Sequence, residues 1–301
     1  KMCSGRIFSD GVSSGAMTQQ VPELFDFVKA RTADARAKHI GAETFLLDRM
    51  AEDLIDRLAP VLRDFDSVLD FGTPLGALGA AFARFRPGNM PEIRAGLEGI
   101  TLPDAGLEAA RYGLILSGML MHRVNDLPGL LIQLRRALKP DGLMLAVFPG
   151  GDTLMELRDS LMQAESMVRG AAGLRVFPMI DVRAAGQLLQ RAGFALPVAD
   201  SEKLTVRYAD LFALIRDLRA MGGTAAPLIR PGQPGLSRAL ILKAAELYQQ
   251  NHADADGRIR ATFEFVWISG WAPHASQQQP LKPGSAKMRL EDALRQGEKK
   301  P

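Results

Sequence analysis

The run that most limits what this chain can become is Ser67-Val-Leu-Asp-Phe-Gly-Thr-Pro-Leu-Gly76. An apolar segment ends on Asp70 and passes directly into a glycine turn. Ala77 to Phe85, rich in alanine, leucine and phenylalanine, then continues with helical spacing. Strand, glycine turn and helix is the arrangement by which an α/β fold points backbone N–H groups at a nucleotide-like ligand. Asp70, Gly72 and Gly76 are therefore the first candidates for holding a cofactor. The middle of the turn is unusual. Pro74 has no N–H to offer and fixes φ at about −65°, and Leu75 adds a side chain where a ligand would approach.

Further elements support an α/β fold. Tyr112 to Ser117 reads as a strand, with Ser117 at its ligand end. Leu138-Lys-Pro-Asp-Gly142 closes one helix and opens the strand Leu143–Phe148. Helical spacing covers 22–40, Glu43 to Leu58 and Pro128 to Leu138. It returns from an Asp152 or Thr153 cap to about Val168, then over 181–192, Asp210 to Met221 and Leu236 to Gln250. Arg230 to Pro234 reads as a loop. Arg260 to Ser269, aromatic and β-branched, reads as a late strand. The stretch from Asn89 to Ala110 carries no convincing strand. Positions 77–113, only 37 residues, separate Gly76 from Leu114. A nucleotide fold normally ends its second strand on an acid that binds ribose hydroxyls. Glu92 and Glu98 are the acids on offer, each more readily read as a solvated carboxylate, and Glu98 is the candidate for the cofactor.

The expected organisation is a leader or disordered segment at 1–16, preceding the start-like Met17-Thr-Gln-Gln. A nucleotide-binding core follows at 17–150, then a C-terminal part at 151–275 that completes the sheet and adds helices. An exposed tail occupies 276–301. Composition excludes several classes. A net charge of +3 with dispersed arginines argues against nucleic acid. The single cysteine, Cys3, rules out an internal disulfide or thiolate cluster and fits the cytoplasm. No apolar run reaches the roughly 18 residues of a bilayer span. The four histidines show no paired spacing, so no metal is expected, and no G-x-S-x-G elbow is present.

Ligands of open α/β sheets bind beyond the strand carboxyl ends. That rule puts His122 and Asp126 at the mouth as candidate catalytic groups, because an imidazole titrating near neutrality can serve as a general base. A hydrogen-bonded wall residue is the bland alternative for His122. Asp152, following the next strand in Gly150-Gly-Asp-Thr, falls at the same edge as a candidate substrate contact. Its plainer role is a turn and helix cap. Trp271 and His274, in a segment that also carries Gln277, are candidate substrate contacts, although a tryptophan beside a sheet is more often core.

Longer strings carry a resemblance. They are His122-Arg-Val-Asn-Asp-Leu-Pro128, Leu138-Lys-Pro-Asp-Gly142, Gly150-Gly-Asp-Thr-Leu154 with Glu156-Leu-Arg158, and Arg191-Ala-Gly-Phe194. Asp217-Leu-Arg-Ala-Met-Gly222 and Ala261-Thr-Phe-Glu-Phe265 with Gly270-Trp271, His274 and Ser276-Gln277 complete the set. Over about residues 20–290 these resemble the methyltransferase-like assembly factors of respiratory complex I, in their alphaproteobacterial branch. More distantly they resemble the methyltransferase that esterifies malonyl carrier protein. The resemblance implies a Rossmann-like class I methyltransferase sheet with a helical N-terminal cap and a C-terminal α+β extension. It implies S-adenosyl-L-methionine as cofactor, and a protein substrate or complex I subunit as partner, met at the periphery of the inner membrane. An oligomer with itself or a paralogue is among the implied states. Three activities stay open: methyl transfer, a non-catalytic pseudoenzyme scaffold, and arginine hydroxylation, for which no oxygen-activating residues are visible. The chain departs from the family at four points. The cysteine-glycine-threonine centre of the turn is lost in Gly72-Thr73-Pro74-Leu75-Gly76. The histidine–tryptophan pair becomes His122-Arg123. Gly113 replaces a strand-opening aspartate, and Ala275 replaces a glutamate between the late histidine and serine.

Overall fold

Strands buried on both faces need helices on both faces. Val68–Phe71 (β1), Tyr112–Gly118 (β3) and most of Leu138–Pro149 (β4) are such strands. The computed structural model describes residues 23–98, 100–224 and 234–278. The expected leader with Cys3, positions 230–233 of the expected loop and the tail from 279 onward lie outside these residues.

The sheet has six strands in the order β2-β1-β3-β4-β6-β5. Glu92–Arg94 (β2) and β3 flank β1 in parallel, and β4 runs parallel to β3. Ile259–Trp271 (β6) is antiparallel to β4, and Ala195–Tyr208 (β5) is antiparallel to β6. One face is covered by Phe45–Leu58 (α2), Ala77–Phe85 (α3), Met155–Arg169 (α5), Leu211–Ala220 (α7) and Arg238–His252 (α8). Leu127–Ala137 (α4) and Val182–Arg191 (α6) cover the other. Phe27–Ile40 (α1) starts at Asp26, whose Oδ1 accepts from Lys29 N at 3.0 Å.

Four local expectations change. A strand does form in the 89–110 stretch, but it is only three residues long and lies at the sheet edge. A doubly wound sheet carries a further strand on that side. The 26 residues at 86–111 are too few to make it. The 14-residue β5 was not legible, because its mixed Pro, Ala, Asp, Ser, Glu and Lys lack the dense β-branched signal of a strand. The Leu138–Gly142 turn is absorbed into β4, with Asp141 at φ 61°. Neither Asp152 nor Thr153 caps α5, whose N-cap is Leu154 with no side-chain bond. Thr153 is committed elsewhere: its Oγ1 donates to Glu264 O and accepts from Glu264 N, both at 3.0 Å.

Candidate functional site: the crevice beyond β1 and β3

Chain direction diverges at β1, which leads to β2 on one side and has β3 on the other. This is the switch point where an open α/β sheet leaves a crevice. The turn behind β1 is built by its own hydrogen bonds. Gly72 N donates to Arg94 O at 2.8 Å, and both Gly76 N and Gly96 N donate to Thr73 O at 3.0 Å. Thr73 Oγ1 accepts from Gly118 N at 2.9 Å, tying the turn to the end of β3. Gly72 and Gly76 adopt φ of 78° and 64°, values that disfavour a side chain. A Cβ on Gly72 would stand 2.6 Å from Leu120, and one on Gly76 would stand 2.7 Å from Ile93. These glycines are therefore required by the packing of the turn itself. Leu75 also takes a left-handed φ of 58°, a local cost of order 1 kcal/mol for a side-chain-bearing residue.

Asp70 is fully buried, and its Oδ2 accepts from Gly79 N at 2.7 Å. Burial raises its pKa to about 6, against the lowering effect of the bonds from Thr73 and Gly79. Ser117 is buried at the end of β3. Asp70 Oδ1, Ser117 Oγ and His122 Nδ1 have no hydrogen-bond partner among the described residues. Glu98 lies beyond β2, bonded to Lys38 Nζ at 2.7 Å, and that bond holds its pKa below the ordinary carboxylate value. The tip of β2 instead presents Arg94. Its guanidinium is spent on Glu92 at 3.0 Å and on the Ala105 and Gly106 carbonyls at 3.3 Å.

His122 is half-buried and lines a cavity of about 60 Å³ together with Met119, Pro149, Phe177, Met179 and Phe265. Its ring stands edge-on to Phe177 at 5.9 Å. Burial, then the neighbouring Arg123 charge, pushes its pKa well below the ordinary imidazole value. The ring is thus neutral at physiological pH. The rest of its motif anchors the N-terminal cap. Arg123 Nη1 and Nη2 each reach Asp34 Oδ1 at 2.9 Å, and Nη2 also donates to Ala30 O at 3.1 Å. Asn125 Oδ1 accepts from Leu24 N at 2.7 Å and Phe25 N at 2.9 Å, while its Nδ2 donates to Phe25 O at 3.0 Å. Asp126, expected as a second proton-transfer group, is the α4 N-cap. Its Oδ1 accepts from Gly129 N at 2.8 Å, which explains its position without catalysis.

Asp152 follows the end of β4, and its carboxylate pairs with Lys203 at 2.6 Å. Trp271 and His274 do not converge on it. Because β6 runs antiparallel, Phe265 pairs with Pro149 at the mouth and Trp271 pairs with Leu143 at the opposite end. Six residues of strand, about 20 Å, separate them. His274 is exposed there, with Nδ1 2.7 Å from Ser276 Oγ. Sequence reasoning overlooked Glu264, which is buried beneath the Gly150-Gly-Asp turn: its carbonyl accepts from Gly150 N and its Oε2 from Asp152 N, each at 2.9 Å. It also overlooked Asp34 and Phe177. The only sequence sign of Asp34 was the arginine beside His122. Among the described residues, no group of three His, Cys, Asp or Glu is arranged to hold a metal.

A methyltransferase-domain family model matches residues 43–197. Arginine-hydroxylase NDUFAF5, mitochondrial, of Rattus norvegicus is 31% identical over 311 residues, covering 95% of this chain and 90% of that protein. The protein of the same name from Dictyostelium discoideum is 42% identical over 183 residues, and the chain spans only 42% of its length. A malonyl-[acyl-carrier protein] O-methyltransferase of Halorhodospira halophila is 28% identical, covering 86% of this chain and 92% of that one. The chain belongs to the methyltransferase-domain family and, within it, to the group of the NDUFAF5 arginine-hydroxylases.

S-adenosyl-L-methionine is the cofactor of that domain, and the local residues can be tested against it. Between the turn and α1 the space is about 40 Å³, bounded by Asp34, Lys38, Pro74, Leu75 and Glu98. A site for a ligand of this size takes roughly 300–1,000 Å³. The β2 tip supplies no carboxylate for a ribose, and Pro74 supplies no N–H. In this arrangement the residues do not form a seat for the adenosyl group.

Proposed function

We propose that this methyltransferase-like chain serves the assembly of a respiratory complex I type enzyme by engaging an arginine-bearing segment of one of its subunits. The single observation that carries the reading is the 31% identity to the rat arginine-hydroxylase across 95% of this chain. We place the work at the cytoplasmic face of the inner membrane, with a protein as substrate or partner. Among the described residues no helix is long and apolar enough to cross a membrane. The test is affinity capture of the tagged chain from membranes of its source cells, followed by mass spectrometry. Enrichment of a complex I subunit whose arginine gains one oxygen only when the chain is present supports the reading. Capture that yields no such subunit overturns it.

A non-catalytic scaffold is the second reading, favoured by one observation: α1 and the Pro74–Leu75 turn leave about 40 Å³ where the adenosyl group would lie. Titration calorimetry separates it from methyl transfer. Micromolar binding of S-adenosyl-L-methionine supports methyl transfer, and silence at millimolar concentration in a folded protein supports the scaffold.

A further inference from the structure

The helices α1 and α2 are fastened to the molecule in different ways. α2 buries Leu46, Leu47, Met50, Leu54 and Leu58 in the core. α1 buries Ala30, Ala33 and Ala37, while Val28 and Ile40 are exposed. A segment with so little apolar contact can open while the core stays folded. Polar bonds make up the difference. Asp34 meets Arg123 at 2.9 Å, with both side chains mostly buried. Arg123 Nη2 reaches Ala30 O, Lys38 Nζ reaches Glu98 at 2.7 Å, and the Asn125 amide holds Leu24 and Phe25. Gly222 lets Asp34 settle there, since a Cβ on it would stand 2.6 Å from Asp34 Oδ1. The link between the two helices contains a free joint. Gly41 has φ 91° and ψ 102°, and a Cβ added to it would meet nothing within 4 Å. Just beyond it the chain is fixed again, where Glu43 N donates to Ala220 O at 3.2 Å.

We infer that residues 23–40 are a cover over the crevice behind β1, hinged at Gly41 and latched by Arg123 and Asp34, and that a ligand enters only when the latch releases. The space of about 40 Å³ between α1 and the turn then belongs to the closed state. Its walls divide at the hinge. Asp34, Ala37 and Lys38 leave with the cover, and Pro74, Leu75, Leu97 and Glu98 stay with the sheet. The latch holds because either partner, left alone, is a buried charge without a counter-ion. Gly41 suits the pivot because it carries no side chain to restrict φ and ψ as the cover swings. The inference rests on reading this crevice as the ligand site of the methyltransferase domain and adds how access to it is controlled. Its test is read on the chain alone, so the two can fail separately.

The experiment is the rate of thiol labelling by N-ethylmaleimide in the full chain with Cys3→Ser, carrying one new thiol at a time. Ala37→Cys lies under the cover, Leu97→Cys on the sheet side of the same space, and Ala51→Cys on the embedded α2; all three positions are buried. Ala37→Cys and Leu97→Cys should react at matching rates, about tenfold or more faster than Ala51→Cys. Asp34→Ala should speed the first two by about a hundredfold or more and leave Ala51→Cys unchanged. Gly41→Ala should speed them by about fivefold or more, because the closed cover then holds a side-chain-bearing residue at a positive φ. Ala37→Cys and Ala51→Cys each add one sulfur atom, so their comparison stands even where Leu97→Cys lowers Tm. Equal rates at Ala37→Cys and Ala51→Cys overturn the cover. A rate at Ala37→Cys unmoved by Asp34→Ala overturns the latch, and one unmoved by Gly41→Ala overturns the hinge. Labelling of a well-folded Leu97→Cys as slow as that of Ala51→Cys overturns control of the crevice. The expected pattern supports the cover even where calorimetry with S-adenosyl-L-methionine is silent, and that silence then falls on Pro74 and Leu75.

Discussion

Replacing Asp34 with alanine should release α1 from the crevice. The Arg123 and Asp34 side chains are 8% and 13% exposed, so the pair is effectively internal. Burial raises the pKa of Asp34 despite the arginine, a sign that desolvation weighs heavily on the carboxylate. Removing one member of such a pair costs about 3–5 kcal/mol, because the other charge stays buried without its counter-ion. Besides this pair, an exposed Lys38–Glu98 bond and the Asn125 bonds to Leu24 and Phe25 tie the segment down. The buried apolar side chains of α1 are Ala30, Ala33 and Ala37, worth together about 2–3 kcal/mol at roughly 0.8 kcal/mol per methyl-sized group. Phe25, just before the helix, adds about 1.5–3 kcal/mol. The loss on mutation thus rivals the whole apolar attachment of the cap. Amide hydrogen exchange over residues 27–40 should accelerate by about a hundredfold to a few thousandfold, at roughly 1.4 kcal/mol per factor of ten. The strands should keep their protection. The double variant Asp34→Leu, Arg123→Met should restore slow exchange, since apolar isosteres often replace a buried pair without loss. If α1 exchanges equally fast in Asp34→Ala and in the unaltered chain, the pair does not hold the cap and the reasoning fails.

Three further outcomes follow from the same geometry. Asp70→Asn should stabilise the fold above pH 6 by roughly 2–3 kcal/mol, read by urea denaturation. The folded pKa of about 6 lies above the 3.8 of a free aspartate, so the folded state holds its proton longer and stability declines as pH rises from about 4 to 6. An unchanged pH profile in the variant would refute this. Gly72→Ala should destabilise by about 2–4 kcal/mol, combining a left-handed φ with a Cβ 2.6 Å from Leu120, and an unshifted Tm would contradict it. Pro74→Gly combined with Asp34→Ala should bind S-adenosyl-L-methionine at least tenfold more tightly than either single variant, because one change restores an N–H and the other raises the open fraction. A double variant that binds no more tightly than either single variant in calorimetry would count against a closed crevice.

Much of the fold was legible because its signals are local. β1, β3, α3, α4 and α6 announce themselves through apolar runs, 3.6-residue spacing and the Pro128 and Gly193 punctuation. The edge strands β2 and β5 were not legible. One is three residues long, and the other alternates between half-buried and exposed positions with few β-branched residues. The turn around Gly72 and its crowding by Pro74 and Leu75 were visible in the sequence. The roles of Asp126 and Asp152 were not, since an acid after a strand looks the same whether it caps a helix, pairs with a lysine or meets a substrate.

By itself the sequence determined the class of fold, the position of the glycine turn and the family. Those properties follow from residue type, spacing and ordered motifs along the chain. Only the tertiary structure decided which residues share the crevice. The antiparallel course of β6 carried Trp271 and His274 to the far end, and the approach of α1 joined Asp34 to Arg123 across 89 positions. Strand direction and helix docking are set by packing between distant segments, and a distance of that kind has no local signature.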